Sequence, residues 1–148
     1  MSIVLVRIDN RLIHGQVLES WVPYTHADCI VVASDQAAAS PLQRMLMQAS
    51  VPSAIRVVLG SLAEVAGLLS TGELDSRRVL LLLANAADAL ELHRRGVSFA
   101  DLNLGNMHGG EGKSRFSCTI ALDPADIADL EALEAGGVRI ASRCIPSD

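Results

Sequence analysis

The sequence predicts an α/β fold: three layers, with an open, mainly parallel sheet and helices on both faces. Three observations lead there. Apolar blocks of strand length alternate with amphipathic segments, so the order reads strand, helix, strand, helix, repeated. Several blocks are near-continuous, such as Val79-Leu80-Leu81-Leu82-Leu83, the pattern of strands buried on both faces. Half of the 148 residues are apolar but only 3% are aromatic, so the core must be built from Leu, Val, Ile and Ala. This length suits one domain over residues 1–148 and buries a core without disulfides or a structural metal.

The clearest strand blocks are 3–8, 29–33, 55–59, 79–83 and 102–104, each rich in β-branched residues and Leu. Weaker candidates lie at 120–122 and 138–145. A first helix starts near His14 to Gln16 and runs towards Trp21, with Pro23 as its stop. Ser40 before Pro41 reads as an N-cap for a helix carrying Leu42, Met45, Leu46 and Ala49. Ser61 and Glu64 form a capping box ahead of Leu62, Val65, Ala66 and Leu69. Asn85 caps a helix with Ala86, Ala89, Leu90 and His93 that Gly96 closes. Asp123-Pro124 opens another, with Ile127, Leu130 and Leu133 on its apolar face and Gly136-Gly137 at its end.

Charge and composition exclude several classes of function. Twelve basic and 17 acidic residues give a net charge of −5, against the basic face a nucleic-acid binder carries. No apolar run reaches the roughly 20 residues of a membrane span. The N-terminus has neither a basic region nor a small-residue cleavage site. A cytoplasmic location without direct membrane insertion is therefore expected. Cys29, Cys118 and Cys144 are far apart and read as three buried thiols. The four His lack ligand spacing, so no metal is expected. No G-x-G-x-x-G or G-x-x-x-x-G-K-[ST] follows a strand, which argues against a nucleotide cofactor.

Ligands of such sheets bind beyond the carboxyl ends of the strands. The most informative loop there is the first, Arg7-Ile8-Asp9-Asn10-Arg11-Leu12-Ile13-His14-Gly15-Gln16-Val17. A helix N-terminus attracts anions, and Gly15 lets a ligand approach the backbone. Arg11 offers a planar fork for a phosphoryl group, and His14 a nucleophilic nitrogen. Asp9 either orients the imidazole or tethers the loop. On residue chemistry alone, a phosphohistidine site and a structural His remain alternatives.

This segment, with Trp21 seven residues after His14, closely resembles the mannose/fructose/sorbose family of phosphotransferase system (PTS) enzyme IIB components. The family typically reads Arg-Ile-Asp-Asp-Arg-Leu-Ile-His-Gly-Gln-Val, so Asn10 is the single change. Val31-Val32-Ala33-Ser34-Asp35, residues 79–83 with Asn85 and Asp88, Leu102-Asn103-Leu104-Gly105-Asn106-Met107-His108, and Gly112-Lys113 are similar in order and spacing. The resemblance implies a phosphocarrier. Phospho-IIA would donate a phosphoryl group to His14, and His14 would pass it to a sugar of the mannose/fructose/sorbose class held by the membrane components IIC and IID. The domain would then sit at the inner face of the membrane only through those partners.

Carried over, His14 is the phospho-acceptor, Arg11 its electrostatic partner and Asp9 its orienting carboxylate. Asn10, Gly15, Gln16 and Asp35 line the loop or the phosphoryl group. Asp35 either braces the first loop or serves a helix entry. An exposed His is expected, because donors must reach it in line. Arg44, Lys113 and His108 are candidate partner contacts, and Trp21 is either a rim residue or a helix anchor. Asn10 removes one carboxylate from the family pattern. Asn106 replaces the second glycine of its Gly-Gly pair, and Gly109-Gly110 stand where aromatic and basic residues are common. Against that pattern, no fused IIA domain and a somewhat early end are expected. A second reading keeps phosphorylation of His14 but makes partner regulation the output.

Overall fold

The computed structural model describes residues 2–148. Its strands are β1 (Ser2–Asp9), β2 (Cys29–Ala33), β3 (Arg56–Gly60), β4 (Arg78–Leu83), β5 (Asp101–Asn106), β6 (Ser114–Arg115), β7 (Ala121–Leu122) and β8 (Arg139–Ser142). Six of them form one sheet in the order β3-β2-β4-β1-β5-β8. Every pairing in it is parallel. The predicted fold class is the observed one. The strand blocks differ from those expected by a residue or two at most ends. The exception is 138–145, which pairs only over β8, the edge strand, before the carbonyls of Arg143 and Cys144 reach inward to Arg7 of β1.

The helices are α1 (Val22–Thr25), α2 (Asp35–Ala38), α3 (Pro41–Ser50), α4 (Leu62–Ser70), α5 (Ala86–Arg94) and α6 (Pro124–Ala135). Each cap expected from the sequence is made. Ser40 Oγ accepts from Gln43 N–H, and Asn85 Oδ1 from Asp88 N–H. Ser61/Glu64 and Asp123/Asp126 form reciprocal capping boxes. Such caps are worth about 1 kcal/mol each, because they satisfy donors that a helix start leaves unpaired.

The first helical segment departs from expectation. It begins at Gly15, runs as a π-helical turn over Val17–Trp21, and continues through Pro23 into α1. In this wider register Val22 N–H bonds Val17 O, five residues back. Pro23 falls at the first turn of α1, where a missing N–H is tolerated. The segment ends at His26, with a left-handed φ of 56°.

Alternating side chains of the sheet feed two cores. Cys29, Val31, Ala33, Val79, Leu81 and Leu83 pack with Leu62 and Val65 of α4, Ala86 and Leu92 of α5, and Leu130 and Leu133 of α6. Ile30, Val32, Leu80 and Leu82 face the other way, onto Val17, Trp21, Val22, Ala37 and Met47. Leu80 to Leu83 are fully buried, each contributing about 1.5–3 kcal/mol of transfer free energy. β1 lies between β4 and β5. Its exit leads to the Trp21 side of the sheet, whereas β4 and β5 lead to α5 and α6 on the opposite side. Connections thus diverge at the carboxyl end of β1, the position where ligands bind in sheets of this kind.

The weak strand candidate at 120–122 forms outside the main sheet, and one smaller expectation changes. Met107 bridges Ile120, and β6 pairs with β7 as an antiparallel ribbon. Of the three cysteines only Cys29 is buried; Cys118 is exposed and Cys144 half-buried, because Cys118 falls in the turn between β6 and β7.

Candidate active site

The carboxyl end of β1 carries a buried network centred on Arg7, a residue the sequence reading passed over. Arg7 sits in an otherwise apolar stretch of β1, in register with Asn103 of β5, and is fully buried. A guanidinium has five N–H donors, and here each finds an acceptor. Nε donates to Asp9 Oδ2 at 3.2 Å. Nη1 donates to Asn103 Oδ1 and, at 2.8 Å, to the Arg143 carbonyl. Nη2 donates to Gln16 Oε1 at 3.2 Å and to the Cys144 carbonyl at 3.3 Å. The cation also lies 5.1 Å from the Trp21 ring centroid. Burial pulls Arg7 below its usual range while Asp9 opposes that pull; a guanidinium stays charged throughout. The available signal was a lone charge inside a central strand beside a polar residue on its neighbour.

Asp9, also fully buried, is the hub. Its Oδ1 accepts from Arg11 N–H at 3.0 Å. Its Oδ2 accepts from Arg7, from His14 Nε2 at 2.7 Å and from Asn106 Nδ2 at 2.9 Å. Burial pushes the carboxyl up, but the hydrogen bonds from His14 and Asn106, the His14 charge and the Arg11 amide hold it below the usual carboxylate range. An ionised carboxylate only accepts, so His14 donates from Nε2–H. In the neutral ring the lone pair then sits on Nδ1.

The expected exposed His is corrected here. The His14 side chain is only 7% exposed, and Nδ1 is buried without a hydrogen-bond partner. The cause is the bond to Asp9, which draws the ring inward toward a buried carboxylate. The loop that carries it is tight: Leu12 N–H bonds Asp9 O at 2.8 Å, and Leu12 adopts φ 57° with its side chain in the core. A left-handed conformation costs a branched residue of order 1–3 kcal/mol and persists only where packing enforces it.

The other site candidates divide. Arg11 is exposed, and among the described residues its guanidinium has no partner. Asn10 N–H bonds Asn106 O at 3.0 Å, while its own Oδ1 is buried and unpaired. Gly15 is exposed, with open space where a Cβ would stand. Gln16 turns inward to Arg7 rather than outward to a ligand. Asp35 is not a brace of the first loop. Its Oδ1 accepts from Leu62 N–H at 2.9 Å, so it caps α4, the nearer group with unpaired amides.

Arg44 donates to the Leu59 and Ala38 carbonyls, and Lys113 pairs with Asp126 at 2.9 Å, so both are engaged within the chain. Trp21 is an anchor: it is buried and its indole N–H donates to Cys144 O at 3.0 Å. His93 packs edge-on against Phe99. Among the described residues no three His, Cys, Asp or Glu side chains converge as metal ligands, and no helix is long and apolar enough to cross a membrane.

Comparison with known proteins completes the picture. A family model described as PTS system sorbose subfamily IIB component matches residues 3–148. The N-acetylgalactosamine-specific phosphotransferase enzyme IIB component 2 of Escherichia coli is 36% identical, over 99% of this chain and 93% of its own length. The mannose-specific EIIAB component of Escherichia coli is 31% identical over 100% of this chain, which covers 46% of that protein. The crystal structure of the IIB domain of the sorbose permease from Klebsiella pneumoniae superposes with a TM-score of 0.95 at 33% identity, covering 100% of this chain and 91% of the other. The chain therefore belongs to the sorbose subfamily of PTS IIB components, the phosphoryl-transferring proteins of sugar phosphotransferase systems.

Proposed function

We propose that His14 Nδ1 is the atom that carries the phosphoryl group. The observation that carries this reading is the 2.7 Å bond from His14 Nε2 to Asp9, which leaves Nδ1 as the free lone pair. The Nδ1 lone pair forms the new N–P bond as the donor's N–P bond breaks and its electron pair returns to the donor imidazole. In the second step a sugar hydroxyl oxygen attacks phosphorus. The N–P pair returns to Nδ1, and the hydroxyl proton passes to a base or to water. Asp9 holds the Nε2 proton throughout and offsets the positive charge that the ring gains on phosphorylation. Such transfers depend on positioning and charge stabilisation.

Arg11, exposed and unpaired, is the group able to swing onto the phosphoryl oxygens. The start of the helix at Gly15 and Gln16 adds amide donors, while Asn10 tethers the loop through its N–H to Asn106 O. Because Nδ1 is covered, in-line approach requires a shift of the loop, and the left-handed Leu12 makes that loop the strained element. The donor is a phosphorylated IIA partner; the EIIAB name of the Escherichia coli mannose relative is consistent with such a pairing. The acceptor is a sugar of the mannose/fructose/sorbose or N-acetylhexosamine class, presented by IIC and IID at the cytoplasmic face of the membrane.

Incubation with a phosphorylated IIA tests this. The chain should acquire acid-labile, base-stable phosphate, and His14→Ala should abolish it while Arg11→Ala slows onward transfer to sugar. Labelling that survives His14→Ala would overturn the assignment.

A further inference from the structure

We propose that Asn106 is a positioning residue of the phospho-acceptor site, setting through Asp9 how strongly the Nε2 proton of His14 is held. The inference rests on the reading of His14 as acceptor. It departs from the family pattern quoted above, where a glycine stands at this position and supplies no side-chain donor.

The placement of Asn106 is a product of strand register. Side chains of a strand alternate between faces, so Asn103 and a residue three positions later belong on opposite faces. β5 breaks that rule. Arg7 pairs with Asn103, Ile8 with Leu104, and Asp9 with Asn106, so Gly105 is the extra residue of a bulge. The bulge returns Asn106 to the face that Asn103 shares with Arg7 and Asp9. Only glycine fits the bulged position, because a Cβ there would lie 2.2 Å from Arg7 Cζ.

From that position Asn106 holds the loop at two points. Its Nδ2 donates to Asp9 Oδ2 at 2.9 Å, the same oxygen that accepts from His14. Its backbone carbonyl accepts from Asn10 N–H at 3.0 Å. The charged and titratable groups in contact with this oxygen are Arg7 of β1 and His14 of the loop. β5 contributes only the neutral amides of Asn103 and Asn106, and the C-terminal segment contributes carbonyls that bind Arg7. Each added donor withdraws charge from a carboxylate. Asn106 therefore weakens the grip of Oδ2 on the Nε2 proton, and fixes which lone pair of Oδ2 faces the ring.

The test reads Asp9 and His14 by NMR in the unphosphorylated full chain, so it stands apart from the labelling experiment. Asn106→Ala removes the donor and its bulk; Asn106→Leu removes the donor and keeps similar size. Both should raise the titration midpoint of the Asp9 carboxyl, by about one pH unit. Both should move the His14 Nε2–H resonance downfield. In the native chain the Asn106 side-chain amide protons should exchange with solvent more slowly than those of a free carboxamide. An unmoved Asp9 midpoint in either folded variant, or unprotected Asn106 amide protons in the native chain, would overturn the proposal. Failure of phospho-IIA to label His14 would instead overturn the function on which it rests.

Discussion

A charged side chain buried in a central strand is costly unless every donor is met, since each orphan costs roughly 1–3 kcal/mol. Arg7 meets that condition with five acceptors drawn from β1, Gln16, β5 and the C-terminal segment. The guanidinium thereby becomes the support on which Asp9, and through it His14, is oriented. Gly105 is the second half of this arrangement. Its conformation is ordinary, so the demand for glycine is steric: the guanidinium occupies the space of a Cβ. Gly105→Ala should therefore displace Arg7 rather than strain the backbone. A loss of about 1–3 kcal/mol in urea unfolding is expected, the usual cost of overpacking a filled site, together with slower labelling of His14. Full native stability and labelling would mean that Arg7 has room to move.

At the scale of elements, the sequence was legible wherever the signal was local. Ser40, Ser61, Asn85 and Asp123 each bond an amide three residues on, so the cap and its partner are read in one glance. Pro23 misled because its effect depends on the register of the turn before it. A π turn moves the proline to the start of α1, and nothing in the local composition announces that turn. Asp88 illustrates a cost built into an element. It lies in the first turn of α5, where burial, then the charges of Asp35 and Glu91, push its carboxyl up to about 6 from 3.8. Between those two values the folded state binds more protons than the unfolded state. Stability from this group is thus full below pH 4 and is lost as pH rises through about 6. Asp88→Asn should raise the Tm at pH 8 and leave it little changed at pH 4. A Tm gain equal at both pH values would show that the carboxylate charge is not the cause.

At the scale of the whole molecule, the fold class and the candidate loop at the carboxyl end of β1 were readable from alternation and one specific motif. The network behind the loop was not, because its partners are remote in the chain. Arg7 and Asn103 are 96 residues apart, and Arg7 and Arg143 are 136 apart. Only the parallel order β4-β1-β5-β8 brings them together. One consequence is that the last residues act on the first loop. The carbonyls of Arg143 and Cys144 take two of the five Arg7 donors, and Cys144 O also takes the Trp21 indole N–H. The segment is itself held by Asp148, which accepts from the amides of Cys144 and Ile145. Deleting residues 143–148 leaves β8 intact but strips these acceptors from a buried cation and a buried indole. A loss of ~2–4 kcal/mol is expected in urea unfolding, at about 1–3 kcal/mol per orphaned donor with partial rescue by water. Trp21 emission should shift to the red as water reaches the ring, and His14 labelling should slow, although the side-chain hydrogen bond of His14 goes to Asp9 and not to the deleted segment. Because Trp21 is the chain's only tryptophan, its emission reports on this one contact. Unchanged emission with unchanged labelling would show that the C-terminal segment does not brace the site.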